Sequence, residues 1–282
     1  MLGIAVTITN NNEFLLSQKA YLNAMLAQFN MENCRPIATP TCGGDIEIAA
    51  SQEGEPCDAA LYKSIVGKIM YAMVCTRPDL VFAVTLLTRN MQSPTVAHMR
   101  IAQCTLRYIK GTTDFGILIG NHNTSQLTAY CDANWAGDKG DRKSTGGFVI
   151  FLHGSPIAWQ SRKQRIVAQS SAEAEYITLS DTAREVSWFH SLLTGMRTTI
   201  PPPHIIYEDN QSTIHMAGSG NSHGRTKHID VRYHYIREQV ESGIISVQYI
   251  PTESQTADIF TKPLTRQRFE LLRKQLGVIK LD

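Results

Sequence analysis

Apolar and polar residues alternate over 2–8, Asn10, Asn11 and Asn12 form a turn cluster, and 13–16 returns to an apolar pattern. The chain is therefore expected to open with a hairpin. Ser17 stands where it can cap a helix whose apolar positions are Tyr21, Leu22, Met25, Leu26 and Phe29. The pattern lapses over 34–57, where Pro36, Pro40, Gly43, Gly44 and Pro56 break it and Glu47, Glu53 and Glu55 add acid, as in a linker or long surface loop. Helical stretches come next, near 59–75, 79–91 and 96–109. Arg77-Pro78-Asp79 supplies a first turn for the middle one, Gly111 ends the third, and 115–119 has strand character.

A second polar break, 121–125, introduces a different order. Strands near 126–132, 146–152 and 155–169 precede a long helix over 171–194, a strand at 204–208 and a short helix from 209. A helix near 227–242 carries Ile229, Tyr233, Ile236 and Val240 along one stripe, with a strand at 244–250 and a helix from 255 after it. Strands first, then helix alternating with strand, predict an α/β layer with helices covering a mixed sheet. The break sets two domains, 1–122 and 123–282.

Composition narrows the classes. The length of 282 residues suits about two domains, and 43% hydrophobic with 18% charged residues is an ordinary globular balance. Apolar runs such as 80–87 fall far short of the roughly 20 residues that cross a bilayer, and no basic segment leads an apolar one at the start, so neither a membrane span nor a secretory signal is expected. The six cysteines (34, 42, 57, 75, 104, 131) form no Cys-x-x-Cys pair, which argues against a zinc site or disulfide framework and fits a reducing compartment. A net charge of +2 is too slight to identify a partner.

The acids of the second half carry the chemistry. Asp132 ends a largely apolar strand in TAYCDANW, Glu175 lies early in the long helix in SSAEAEYITLS, Asp209 stands between strand and helix in IIYEDNQS, and Asp258 lies in PTESQTADIFTKPL. Singly, most have ordinary explanations: Asp209 as a helix cap, Glu175 as a residue favoured by the helix dipole, Asp258 as a solvated acid. Asp132 has no such routine task. Gathered within about 5 Å, the four would repel by several kcal/mol at an effective dielectric near 20. Such a cluster persists when cations or raised pKa values relieve it. Carboxylate oxygens without thiolates or paired imidazoles suit Mg²⁺ or Mn²⁺, and two such ions serve phosphoryl transfer.

At these residues the chain resembles the C-terminal part of a copia-type long-terminal-repeat retrotransposon polyprotein. The carrying segments are CDANWAGDKGDRKSTGGFVIFLHGSPIAWQSRKQ (131–164), QSSAEAEYITLS (169–180), YEDNQSTI (207–214), RTKHIDVRYHYIRE (225–238) and YIPTESQTADIFTKPL (249–264). Upstream, FLLSQKAYLNAMLAQFNM (14–31), YKSIVGKIMYAMVCTRPDLVFAV (62–84) and LRYIKGT (106–112) are similar to the end of that family's reverse transcriptase. The resemblance implies an α/β ribonuclease H-like domain, a mixed central sheet with flanking helices, preceded by a mainly helical thumb and connection remnant. Its activity would be two-metal cleavage of the RNA strand of RNA–DNA hybrids, with two Mg²⁺ ions that Mn²⁺ can replace.

Position by position, Asp132, Glu175, Asp209 and Asp258 match the family's four acids, catalytic and metal-binding alike. Glu173 competes for the second place; Glu175 is preferred because it directly precedes the aromatic-aliphatic run, and two helical residues so spaced cannot face the same way. Cellular relatives carry a histidine before the last acid, but 251–257 has none, and His223 and His228 are given no catalytic role. The paired aspartates of a polymerase turn are missing too, so 1–122 would match only the part of the transcriptase beyond that turn, with exposed apolar patches where the palm is absent.

For phosphates and the RNA sugar the candidates are Arg162, Lys163 and Arg165, then Arg225, Lys227 and His228, with Asn134 and Gln211 each two residues beyond an acid. SRKQR reads equally as a solvated turn, Gly146 and Gly147 as hairpin-turn residues, and Trp135 and Trp159 as core. The implied partners are an RNA–DNA hybrid and other parts of a retroelement polyprotein, with no membrane, inside the cell in a cytoplasmic particle or the nucleus. The alternative is a silent remnant that folds or binds nucleic acid without cutting it.

Overall fold

The computed structural model describes residues 3–41, 54–120, 126–198, 200–218 and 227–280, with side chains of the last segment described from 231. It forms two compact units: Met1–Gly120 with Asp138–Asp141 and Lys262–Asp282, and Asn121–Gly137 with Arg142–Thr261. The expected division at 122 has its counterpart at Gly120, but residues from Lys262 onward join the first unit instead of the second.

In the first unit, strands β1 (Ala5–Ile8) and β2 (Phe14–Ser17) make the expected hairpin, β3 (Phe115–Ile119) pairs with β2, and β9 (Val278–Lys280) pairs with β3, all antiparallel. The helices are α1 (Lys19–Gln28), α2 (Ala59–Cys75), α3 (Val81–Thr88), α4 (Val96–Lys110) and α8 (Arg266–Gln275). Phe269 and Leu272 of α8 are buried, which holds the end of the chain here. The hydropathy pattern marks that segment as amphipathic but cannot say which sheet it completes. Ser17 ends β2, and Gln18 takes the capping position without a side-chain cap bond. On β1 and β2, Val6, Ile8 and Phe14 are exposed.

Arg77 and Asp79, which the sequence offered only as a first turn, form a fully buried pair. Arg77 donates from Nε to Asp79 Oδ1 (2.9 Å) and from Nη2 to Oδ2 (2.8 Å), and from Nη1 to the Thr112 carbonyl (3.0 Å). Tyr108 donates to Asp79 Oδ2 at 2.6 Å. Burial alone would raise the Asp79 pKa; the Arg77 guanidinium outweighs it and holds the carboxyl below its ordinary value. Cys104 is disulfide-bonded, so the expectation of unpaired thiols fails at that position, while Cys34, Cys57, Cys75 and Cys131 are free. No helix among the described residues is long and apolar enough to cross a membrane.

The second unit starts with an antiparallel meander of β4 (Leu127–Asn134), β5 (Thr145–Leu152) and β6 (Ser155–Lys163). Strand β7 (His204–Glu208) then runs parallel to β4, and β8 (Ile245–Tyr249) parallel to β7, giving the order β6-β5-β4-β7-β8. Helix α5 (Ser171–Gly195) precedes β7; α6 (Gln211–Gly218) and α7 (Lys227–Glu241) join β7 to β8. Tyr176, Leu179, Ala183 and Val186 of α5 bury against Leu127, Ala129, Cys131 and Ile150 of the sheet. This is the ribonuclease H-like arrangement that the resemblance implied.

Two boundaries differ from expectation. Strand β6 ends at Lys163 because Gln164 turns inward and donates to the Ala174 carbonyl (2.8 Å), tying the approach of α5. The helix expected from 255 is instead two 3-10 turns, Thr252–Ser254 and Thr256–Phe260, and α8 begins only at Arg266; Pro263, lacking an amide hydrogen, separates them.

Candidate metal centre

Strand β4 delivers Asp132 near its end, the neighbouring parallel strand β7 delivers Asp209 just past its last residue, and α5 lays Glu175 across them. One carboxylate oxygen from each of Asp132, Glu175 and Asp209 lies within 4.8 Å of the other two. Asp132 and Glu175 are buried, and Asp209 is half-buried. Three of the four expected acids thus converge. Asp258 is buried in the Thr256–Phe260 turn but is not a member of this group.

Hydrogen bonds decide between the competing explanations. The capping task assigned to Asp209 falls to Asn210, whose Oδ1 accepts from the Thr213 amide (3.2 Å). Glu173 accepts from the Gln169 amide (2.8 Å), and the Ser170 hydroxyl accepts from the Glu173 amide (3.2 Å), a reciprocal arrangement at the start of α5. Glu173 is therefore used as a cap, and Glu175 is the acid that joins Asp132.

Gly146 and Gly147 correct the sequence reading: they lie inside β5, opposite Ala133 and Asp132, not in the hairpin turn. A Cβ on Gly146 would strike the Thr178 hydroxyl of α5, and one on Gly147 would sit 2.5 Å from Phe260 Cβ. Bare backbone on both faces lets α5 and the 256–261 turn approach the row that carries Asp132. Gln255, fully buried, fastens that turn by donating to the Cys131 carbonyl (2.9 Å) and accepting from the Ala257 amide (3.2 Å).

Sequence reasoning missed Glu208. It is fully buried beside the cluster, accepts from the Asn210 amide (3.0 Å), and has the Cys131 thiol 3.4 Å from its other oxygen. Burial, with the charges of Asp209 and Asp132, pushes its pKa up to about 8. The period-two alternation of β7 points Glu208 inward and was the available signal; the adjacent Asp209, at a more familiar position between strand and helix, obscures it.

Among the remaining candidates, Arg162, Lys163 and Arg165 line a recess of about 670 Å³ that Arg184 and Arg232 also line. Asp181, in the same recess, accepts from Arg184 (2.6 Å) and Arg232 (2.8 Å). Asn134 ends β4 and is half-buried, while Gln211 opens α6 and is exposed. His223 and Arg225 lie outside the described residues, as do the side chains of Lys227 and His228. Trp135, expected in the core, is 47% exposed, its indole donating to the Ala168 carbonyl (2.9 Å); Trp159 is half-buried on β6.

No protein-family model matches the chain. Solved structures similar to it include LC11-RNase H1 in complex with an RNA/DNA hybrid, at 15% identity, 48% of this chain, 94% of that chain and a TM-score of 0.38. Another is the N-terminal RNase H domain of rv2228c from Mycobacterium tuberculosis, at 12% identity, 54% and 98% coverage and a TM-score of 0.38. An uncharacterized mitochondrial protein of Arabidopsis thaliana is 35% identical over 66% of this chain and 76% of its own length. The retrovirus-related Pol polyprotein from transposon RE2 of Arabidopsis thaliana is 41% identical over 94% of the chain, and that from transposon TNT 1-94 of Nicotiana tabacum 38% identical over 93%. Matched along nearly its whole length, the chain is similar to one stretch of these retrovirus-related Pol polyproteins and spans 18% and 20% of their length.

Proposed function

We propose that the second unit is an endoribonuclease that cleaves the RNA strand of RNA–DNA hybrids within a reverse-transcription machinery. The observation that carries this is the convergence of Asp132, Glu175 and Asp209. Three carboxylates so close, two of them buried, destabilise an ion-free fold, and an all-oxygen donor set fits Mg²⁺ or Mn²⁺. The chemistry that two such ions supply to phosphodiester hydrolysis is activation of the attacking water and neutralisation of the leaving 3′ oxygen. Asp132, Glu175 and Asp209 would hold the cations, and Gly146 and Gly147 leave room for α5 and the 256–261 turn against the strand that carries Asp132.

The basic recess supports the same reading. Five cations against Asp181 leave it at +4, from five minus one, in a chain whose total is +2, so positive charge is concentrated where a phosphate backbone would lie. Arg162 and Arg165 contact phosphates here, and Asn134 and Gln211, beside the acids, face the RNA sugar.

One observation favours a second reading, a chain that binds hybrid without turnover: Asp258 stays outside the group of three. A single assay separates the two. End-labelled RNA–DNA hybrid incubated with the purified chain and Mg²⁺ is expected to be cut in its RNA strand only, and not by Asp132→Asn. Retention of the hybrid with no cleavage at any Mg²⁺ or Mn²⁺ concentration selects the binding-only reading.

A further inference from the structure

We propose that Thr261 and Thr252 are positioning residues that set the carboxylates of Asp132 and Asp209 for cation binding, an inference that rests on the metal-centre reading above. The Thr261 hydroxyl donates to Asp132 Oδ2, and Thr261 is wholly buried. The exposed Thr252 hydroxyl donates to Asp209 Oδ2 at 2.7 Å. Both threonines belong to the short stretch between β8 and the end of the second unit.

A hydroxyl that donates to one carboxylate oxygen restricts the side chain's rotation and leaves the second oxygen as a cation donor. The contact at Asp132 is built into the fold from two sides. Gln255 ties the turn to the backbone of Cys131, one residue from Asp132, and Gly147 leaves the space in which Phe260 and Thr261 sit. A Cβ at position 147 would stand 3.1 Å from Thr261 Cγ2, so the glycine opposite Asp132 is what admits the threonine. The segment that the resemblance valued for Asp258 thus contributes two hydroxyls to the group that Asp258 does not join.

Mn²⁺ binding to the full chain, read by calorimetry and by the EPR signal of free Mn²⁺, tests this without reference to turnover. Thr261→Val is expected to weaken Mn²⁺ binding about tenfold or more, the range for lost outer partners of metal ligands, while Thr261→Ser stays close to wild type. Thr252→Val is expected to weaken it severalfold, and its exposure keeps it informative should Thr261→Val fail to fold. Wild-type affinity in either valine variant overturns the assignment for that threonine. Equal losses in Thr261→Ser and Thr261→Val overturn it for Thr261, because packing and not the hydroxyl would then matter. Mn²⁺ binding that survives Asp132→Asn unchanged overturns the metal centre and this proposal with it.

Discussion

Asp132→Asn should make the ion-free protein more stable while destroying its response to metal. The oxygens of Asp132, Glu175 and Asp209 lie within 4.8 Å of one another, and two unit charges at that separation repel by about 3.5 kcal/mol at an effective dielectric of 20. Neutralising Asp132 removes two of the three repulsions. Asp209 is only half-buried, so water screens part of its share, and the Thr261 hydroxyl already stabilises the Asp132 charge. After these offsets a net gain of about 2 kcal/mol is expected, a rise of roughly 4–8 °C in the unfolding midpoint for a chain of this size. The asparagine carbonyl still accepts from Thr261, so the packing is preserved. Thermal unfolding followed by circular dichroism in EDTA, then in 10 mM Mg²⁺, reads both effects: the variant melts higher in EDTA, and Mg²⁺ raises the midpoint of the wild type alone. A variant that melts lower than wild type in EDTA, or one that Mg²⁺ stabilises as much as wild type, refutes the electrostatic reasoning.

Other parts of the molecule give three more expected outcomes. Asp79→Asn leaves the fully buried Arg77 without its anionic partner and is expected to cost the first unit about 3–5 kcal/mol in urea unfolding; a loss under about 1 kcal/mol contradicts the buried network. His204 is buried and stands 2.9 Å from His190, and burial first, His190 second, lowers its pKa from 6.5 to about 4. The unfolded chain therefore takes up this proton first on acidification, so the contribution is whole above pH 6.5 and is lost as pH falls towards 4, by about 3 kcal/mol in all; His204→Gln should flatten that acid limb, and an unaltered limb counts against it. Arg162→Ala and Arg165→Ala should each weaken hybrid binding and reduce the slope of log affinity against log salt by about 1, a change that filter binding at several salt concentrations detects; unchanged slopes place the phosphates elsewhere.

Much of the second unit was legible in its sequence because its signals are local. Alternation in β4, the 3.6-residue stripe of α5 and the break at 121–125 each report on neighbouring residues, and Asp132 stood out because an acid closing an apolar strand has no routine structural task. What escaped depends on contacts between distant positions. Whether Asn210 or Asp209 caps α6 is decided by which side chain reaches the Thr213 amide, and no dipeptide preference chooses between them. The pairing of Arg77 with Asp79 looked like a helix start because both types are common there. Yet the Thr112 carbonyl, 35 positions beyond Arg77, and Tyr108, 29 beyond Asp79, make it a core element. Gly146 and Gly147 carry the turn signature of any Gly-Gly pair; only the closeness of Thr178 and Phe260 shows that the absent side chains are needed mid-strand.

The polypeptide leaves the first unit after Gly120, returns to it briefly at Asp138–Asp141, and rejoins it at Lys262, supplying α8 and the strand that completes the edge beside β3. The second unit is thus interrupted at Asp138–Asp141 and followed by residues of the first, so the chain passes between the two units at four peptide bonds. A single nick at 121–125 cannot release the second unit, since the peptide bond after Thr261 still holds. A recombinant piece running from 123 to the end would carry α8 away from β3 and expose Phe269 and Leu272, whereas one ending at Thr261 keeps every strand of its own sheet.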